Sequence, residues 1–167
     1  MTKTQENLKD AFAGESQANR KYLAFAKKAE QEGLTQVAKL FRASADAETV
    51  HAHKHLRVLG GIRSTKENLK EAIAGETHEF TEMYPKMIEE AEAEGNEAAK
   101  ISFMGANAVE KEHAGLYKKA LESVEAGKDL EEKEIYVCQV CGHTVEDEAP
   151  DECPICKSKK EMFKKIE

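Results

Sequence analysis

Tryptophan is absent from this 167-residue chain, and aromatic residues make up only 6% of it against 40% hydrophobic residues overall. A core with so few large rings must rest mainly on Ala, Leu and Met, which suits a helical bundle. An excess of basic residues is absent too: the formal net charge is −7. That balance argues against binding phosphate backbones or anionic membranes, since both need basic patches. No apolar run approaches the roughly 20 residues that a bilayer-spanning helix needs. The opening MTKTQENLKD has no apolar core of a signal peptide. A cytoplasmic protein with no nucleic-acid or membrane partner is the expectation. Cysteine is missing until position 138, and then four arrive together as Cys138-x-x-Cys141 and Cys153-x-x-Cys156, with eleven residues between the pairs. In a reducing compartment that pattern favours a metal site over disulfides. The chain therefore divides into a cysteine-free body, residues 1–130, and a small cysteine-bearing domain, residues 131–167.

The body contains one hairpin written twice. ENLKDAFAGES at 6–16 answers to ENLKEAIAGET at 67–77, and EQEG at 30–33 answers to EAEG at 92–95. Apolar residues near a 3.6 period predict four helices: about Thr4 to Gln31, Leu34 to Leu59, Ser64 or Thr65 to EAEG, and Asn96 to Gly127. The two copies are not in perfect step. Glu15 and Glu76 are offset by 61 residues, whereas Tyr22 and Tyr84, like Phe41 and Phe103, are offset by 62. One extra residue thus sits in the third helix between Glu76 and Tyr84. A π-bulge is the easiest way for a continuous helix to absorb it, and Pro85 would disrupt the ladder there in any case. A bulge or kink is predicted within residues 77–85. Beyond Gly127 the charged connector KDLEEKE leads to a strand-like IYVC at 135–138.

Each helix carries a glutamate where a leucine would be expected. Glu15 shares its face with Leu8, Ala11, Ala18 and Tyr22, and Glu76 shares one with Leu69, Ala72, Glu79 and Met83. Glu48 and Glu110 each precede a histidine by three residues, His51 and His113. Burying several carboxylates together is prohibitive unless their charge is cancelled. Protonation could neutralise one or two. A pair of multivalent cations could neutralise all of them and use both imidazoles as ligands, because Glu-x-x-His spacing puts both side chains on one helical face. A Glu from each of two helices, plus Glu-x-x-His from the other two, is the bundle arrangement for di-iron or di-manganese centres. One Glu-x-x-His alone usually marks a solvated face; two at matching places of a repeat do not. Gly14 and Gly75, each placed mid-helix beside a ligand glutamate, suggest close approach of a neighbouring helix. Among the other histidines, His53 should be solvated, His55 packed, His78 turned away from the ligands and His143 on the surface.

The module CQVCGHTVEDEAPDECPIC offers two knuckles, each giving two thiolates to one tetrahedral ion. Spacing alone favours zinc over iron. Taken together, AGES at 13–16 with Tyr22, DAETVH at 46–51, GETHE at 75–79, EKEH at 110–113 and the CxxCG…CPxC run at 138–156 resemble rubrerythrin across essentially the whole chain. The resemblance implies a mainly α fold, a ferritin-like four-helix bundle made of two repeated helical hairpins, followed by a small rubredoxin-like metal-knuckle β domain. It also shifts the cysteine site from zinc towards iron, with zinc the alternative occupant. Lys157 departs from the glycine that rubredoxin-like knuckles often carry there, a change that leaves ligation intact and bears on N–H···S hydrogen bonds and potential.

By the same resemblance, Glu15, Glu48 and Glu110, plus either Glu79 or His51, would hold one iron of the bundle. Glu48, Glu76, Glu110 and His113 would hold the other, with Glu48 and Glu110 bridging. Glu79 and His51 would be redox-dependent ligands, the carboxylate suiting the ferric ion and the imidazole the ferrous one. Cys138, Cys141, Cys153 and Cys156 would hold a single iron. Tyr22 and Tyr84 stand either as hydrogen-bond partners and proton donors near the ligands or as plain packing residues. The implied activity is two-electron reduction of hydrogen peroxide to water. Electrons would pass through the four-cysteine iron from rubredoxin or a similar donor and its NAD(P)H-dependent reductase. Two rivals remain: a ferroxidase or iron-handling protein, and a redox sensor with a structural zinc ribbon.

The link GGIRST at 60–65 adds a geometrical constraint. In a ferritin-like bundle the second and third helices are joined across the length of the bundle, here about 30 Å at about 1.5 Å per residue. Six extended residues reach only about 20 Å. Either the chain folds up-down-up-down, or two chains exchange hairpins and form a homodimer. The exchange keeps the ligand geometry and is the expectation.

Overall fold

The structure, a computed structural model, describes residues 2–167. Helix α1 spans Lys3–Gln31 and α2 spans Thr35–Val58. Thr2 starts α1 with a reciprocal cap: its hydroxyl accepts from the Gln5 N–H, and the Gln5 side chain accepts from the Thr2 N–H. Gly33 ends the helix with φ at 76°, a conformation glycine enters without a Cβ clash. The Leu34 N–H then closes on the Ala29 carbonyl at 2.8 Å. The buried side chains of this hairpin are all alanine: Ala26 and Ala29 on α1, and Ala38, Ala45 and Ala52 on α2. Small side chains let the two helices approach closely. Asn19 ties them further, donating to the Ala45 carbonyl at 2.7 Å and to Thr49 Oγ1 at 2.8 Å.

The second hairpin follows the same plan. Helix α3 spans Thr65–His78, a π-helical segment spans Glu79–Met83, α4 spans Tyr84–Ala93 and α5 spans Glu97–Glu125. Ser64 and Glu67 form the starting cap. The Gly95 turn repeats that of Gly33, with the Asn96 N–H on the Ala91 carbonyl at 2.8 Å. The π segment lies inside the window where the repeat offset changes from 61 to 62 residues. There the Tyr84 N–H reaches the Glu79 carbonyl, five residues back. The Thr81 hydroxyl donates to the Thr77 carbonyl at 2.6 Å. The extra residue is thus absorbed as a widened turn, as expected.

Strands β1 (Ile135–Cys138), β2 (Thr144–Glu146) and β3 (Phe163–Ile166) form an antiparallel sheet of order β2-β1-β3. Val137 pairs with Thr144 and Cys138 with Phe163. The fold class is mainly α, with ferritin-like hairpins followed by a small rubredoxin-like β domain. The chain forms two compact units, one ending at Arg63 and one spanning Ser64–Glu167. In the second unit the sheet module lies along α5. His143 Nδ1 is 2.6 Å from Glu112 Oε2, and Lys119 Nζ is 2.6 Å from Glu146 Oε2. No helix of the described residues is long and apolar enough to cross a membrane. Within one copy of the chain, a Cβ added at Gly14 or Gly75 would meet nothing within 4 Å. Neither glycine is required by a close neighbour within the chain.

Candidate metal centres

Glu15 on α1 and Glu48 and His51 on α2 bring their ligand atoms within 4.8 Å of one another. His51 Nδ1 lies 2.9 Å from Glu48 Oε2 and 3.8 Å from Glu15 Oε1. Glu76 on α3 and Glu110 and His113 on α5 do the same in the second hairpin. There His113 Nδ1 lies 2.9 Å from Glu110 Oε2 and 3.8 Å from Glu76 Oε1. The repeat has therefore copied a half-site, down to the nitrogen that faces the carboxylates. An ion about 2.1 Å from each ligand holds neighbouring ligands about 3 Å apart, so both half-sites fit a transition metal.

The electrostatics point the same way. Burial, then the hydrogen bond and charge of Glu110, then the charge of Glu79, push the Glu76 carboxyl up to about 7. The phenol of Tyr84 is raised above its ordinary value by burial and then by the charges of Glu110, Glu79 and Glu76. Glu79, the first residue of the π segment, stands outside the close group yet acts on both side chains. A cation placed among these oxygens would remove the strain that holds the Glu76 proton. The tyrosines also keep the symmetry of the repeat. Tyr22 packs on Phe41 with ring centroids 6.2 Å apart, and Tyr84 on Phe103 at 6.3 Å.

The remaining histidines divide. His53 and His78 are exposed and His55 is half-buried, as expected. His78 turns to Glu82 at 3.4 Å. His143 is a correction: expected on the surface, it is only 7% exposed, bonded to Glu112 and edge-on to Phe163. Its burial comes from the packing of the knuckle against α5, which no periodicity in the cysteine module encodes.

In the sheet module all four sulfurs lie within 4.8 Å of one another. Cys138 Sγ is 3.7 Å from Cys156 Sγ, and Cys141 Sγ is 3.6 Å from Cys153 Sγ. Sulfurs about 2.3 Å from one tetrahedral ion stand about 3.8 Å apart, so the spacing is that of four thiolates on one metal. The two knuckles are near-copies. The Gly142 N–H closes on the Cys138 carbonyl at 2.9 Å and the Lys157 N–H on the Cys153 carbonyl at 3.0 Å. Backbone N–H groups of Val140 and Cys141 favour the Cys138 thiolate, and those of Ile155 and Cys156 favour that of Cys153. His143 serves Cys141 and Ser158 serves Cys156 in the same way. Burial opposes the Cys138 thiolate, but the Ser158 hydroxyl and the backbone donors bring that thiol down to about 6. Burial raises Cys141 and Cys153. At Cys156 burial is outweighed by the Ser158 hydroxyl and N–H, which lower it.

Two carboxylate–histidine half-sites and one four-thiolate site make this a non-haem di-iron carboxylate protein with a rubredoxin-like iron domain. Comparison with known proteins agrees. A family model described as "Rubrerythrin" matches residues 6–121, and one described as "Rubrerythrin, rubredoxin-like domain" matches residues 136–164. Rubrerythrin-2 of Clostridium acetobutylicum is 36% identical, covering 96% of this chain and 95% of its own. Rubrerythrin of Porphyromonas gingivalis is 37% identical, with 97% and 89% covered. The solved structure of fully reduced, all-ferrous nigerythrin is 33% identical with a TM-score of 0.59, covering 99% of this chain and 88% of that one. The chain belongs to the rubrerythrin family.

Proposed function

We propose that the protein is a cytoplasmic peroxidase. It takes two electrons and two protons to convert one hydrogen peroxide into two waters. The electrons enter from rubredoxin or a similar one-electron donor, fed in turn by an NAD(P)H-dependent reductase, and pass through the four-cysteine iron. The observation that carries this reading is the joining of a four-thiolate site to a carboxylate–histidine half-site in one compact unit, through Glu112 and His143. Storage or oxidation of iron has no need of such a fused carrier.

Glu15, Glu48, His51, Glu76, Glu79, Glu110 and His113 would hold the two irons of the bundle, and Cys138, Cys141, Cys153 and Cys156 the third. When bound, the iron pair supplies Lewis acidity and one electron from each ion. Glu48 and Glu110 would be shared between the two irons. Glu79 and His51 act as exchangeable ligands: the carboxylate stabilises the higher charge, and the imidazole stabilises the lower. Tyr84, held protonated by burial and the surrounding carboxylates, presents a phenolic O–H that can donate to departing oxygen. Tyr22 occupies the equivalent place in the first hairpin.

The half-sites complete one centre when two copies exchange hairpins. Each centre then takes Glu15, Glu48 and His51 from one chain and Glu76, Glu79, Glu110 and His113 from the other. Large apolar side chains on the ligand-bearing faces support this. Phe25 lies ten residues from Glu15 and is 47% exposed, and Leu40 lies eight from Glu48 and is 66% exposed. Burying a side chain of this size is worth about 1.5–3 kcal/mol.

Stopped-flow mixing of the anaerobically reduced protein tests the activity. Peroxide is expected to oxidise the iron much faster than dioxygen does. The reverse order would favour a ferroxidase, and a zinc-filled cysteine site without redox activity would favour a sensor.

A further inference from the structure

The two half-sites match in their carboxylates but differ at the far side of the histidine. His113 Nε2 lies 3.0 Å from Thr144 Oγ1, and that hydroxyl lies 3.0 Å from the Gly142 carbonyl. A carbonyl only accepts, so the single hydroxyl proton of Thr144 goes to Gly142. Both contacts can then be made only if His113 Nε2–H donates to Thr144. With the proton held on Nε2, Nδ1, which faces Glu110 and Glu76 at 2.9 and 3.8 Å, is the nitrogen left to ligate a metal ion. His51 has no such anchor. No group among the described residues is bonded to its Nε2, and its side chain is 54% exposed against 27% for His113.

Thr144 is itself held firmly. It opens β2 opposite Val137, and the neighbouring His143 is clamped to Glu112, the residue just before His113. Leu69, Leu116 and Tyr117 line an apolar pocket at the same place, which lowers the competition of water for the bond.

We propose that Thr144 is a positioning residue for the metal centre: through its hydroxyl, the four-cysteine domain locks the tautomer and ring orientation of His113. His113 thereby becomes the permanent imidazole ligand, and unanchored His51 the one free to leave. The inference deepens the metal-centre reading above and depends on it. Partners of this kind change metal affinity by about 10–100-fold.

Cobalt(II) titration of the full chain, with iron already in the four-cysteine site, reads this apart from turnover. Thr144→Val keeps the shape and removes the hydroxyl; Thr144→Ser restores it. The tighter cobalt dissociation constant is expected to rise by about 10–100-fold in T144V and to stay within about threefold of wild type in T144S. In the cobalt-loaded wild type, one imidazole N–H proton should exchange slowly with solvent, and T144V should lose that protection while T144S keeps it. If wild type takes up no cobalt in the carboxylate sites, the metal-centre reading falls and this inference with it. If wild type binds cobalt but T144V matches it, or T144S is as weak as T144V, the positioning role alone is wrong.

Discussion

Lys157 holds a left-handed backbone, φ of 62°, at the place where the first knuckle uses Gly142 at 89°. A side chain in that region costs about 1–2 kcal/mol. Lys157→Gly should therefore stabilise the cysteine module, by about 1 kcal/mol once the greater freedom of unfolded glycine is counted. The check is the urea midpoint for loss of the iron–thiolate absorption, and a lower midpoint in the variant refutes the account. Glu76 makes a second local prediction. Its carboxyl titrates near 7 in the folded, metal-free protein and near 4.5 when unfolded. Between those values the unfolded chain has released a proton that the native chain still holds, so stability falls as pH rises through the window. Below it both states are protonated and the penalty vanishes; above it the penalty is complete. The melting temperature of metal-free protein should drop from pH 5 to pH 7.5, and Glu76→Gln should flatten the drop. An unchanged slope in the variant would exclude Glu76 as its source.

The third helix shows how one residue alters an element without breaking it. Its π segment at Glu79–Met83 has no counterpart in α1, which runs as unbroken α-helix over Lys3–Gln31. Deleting Thr81 should close the segment to an ordinary α-helix, since α1 already runs unbroken from Glu15 to Tyr22. Metal binding at Glu76, Glu110 and His113 and the melting temperature should survive. Peroxide turnover should fall by about tenfold or more, because Glu79 would no longer be aimed as an exchangeable ligand. Unchanged turnover would make the bulge a silent insertion. The bulge was legible beforehand because the repeat serves as an internal ruler: a shift from 61 to 62 residues within one helix has few structural solutions. The helix ends were legible for similar reasons, since Gly33 and Gly95 each stop a helix where a left-handed turn is needed. The close approach expected at Gly14 and Gly75 is not supplied within one copy of the chain, because a mid-helix glycine does not specify which neighbour it faces.

For the molecule as a whole, the short link at 60–65 is the deciding feature. If it forces exchange between chains, lengthening it should release the constraint. Inserting about nine flexible residues between Gly60 and Gly61 extends its reach by about 30 Å. The dimer expected of the wild type in light scattering should then give way to a monomer that still binds metal at the carboxylate sites. A wild-type protein already monomeric with its irons in place would rule the exchange out.

Repeats, helical periodicity and the spacing of cysteines are local properties of the chain. They were enough to establish the helices, the bulge, both half-sites and the four-thiolate site. Each of those depends on residues a turn or a knuckle apart, where backbone geometry leaves little choice. The burial of His143, its bond to Glu112 and the contact of Thr144 with His113 could not be read that way. They join residues 31 apart, brought together by the seating of a sheet on a helix. Only packing between elements sets that contact, and with it the difference between two histidines that the repeat had made alike.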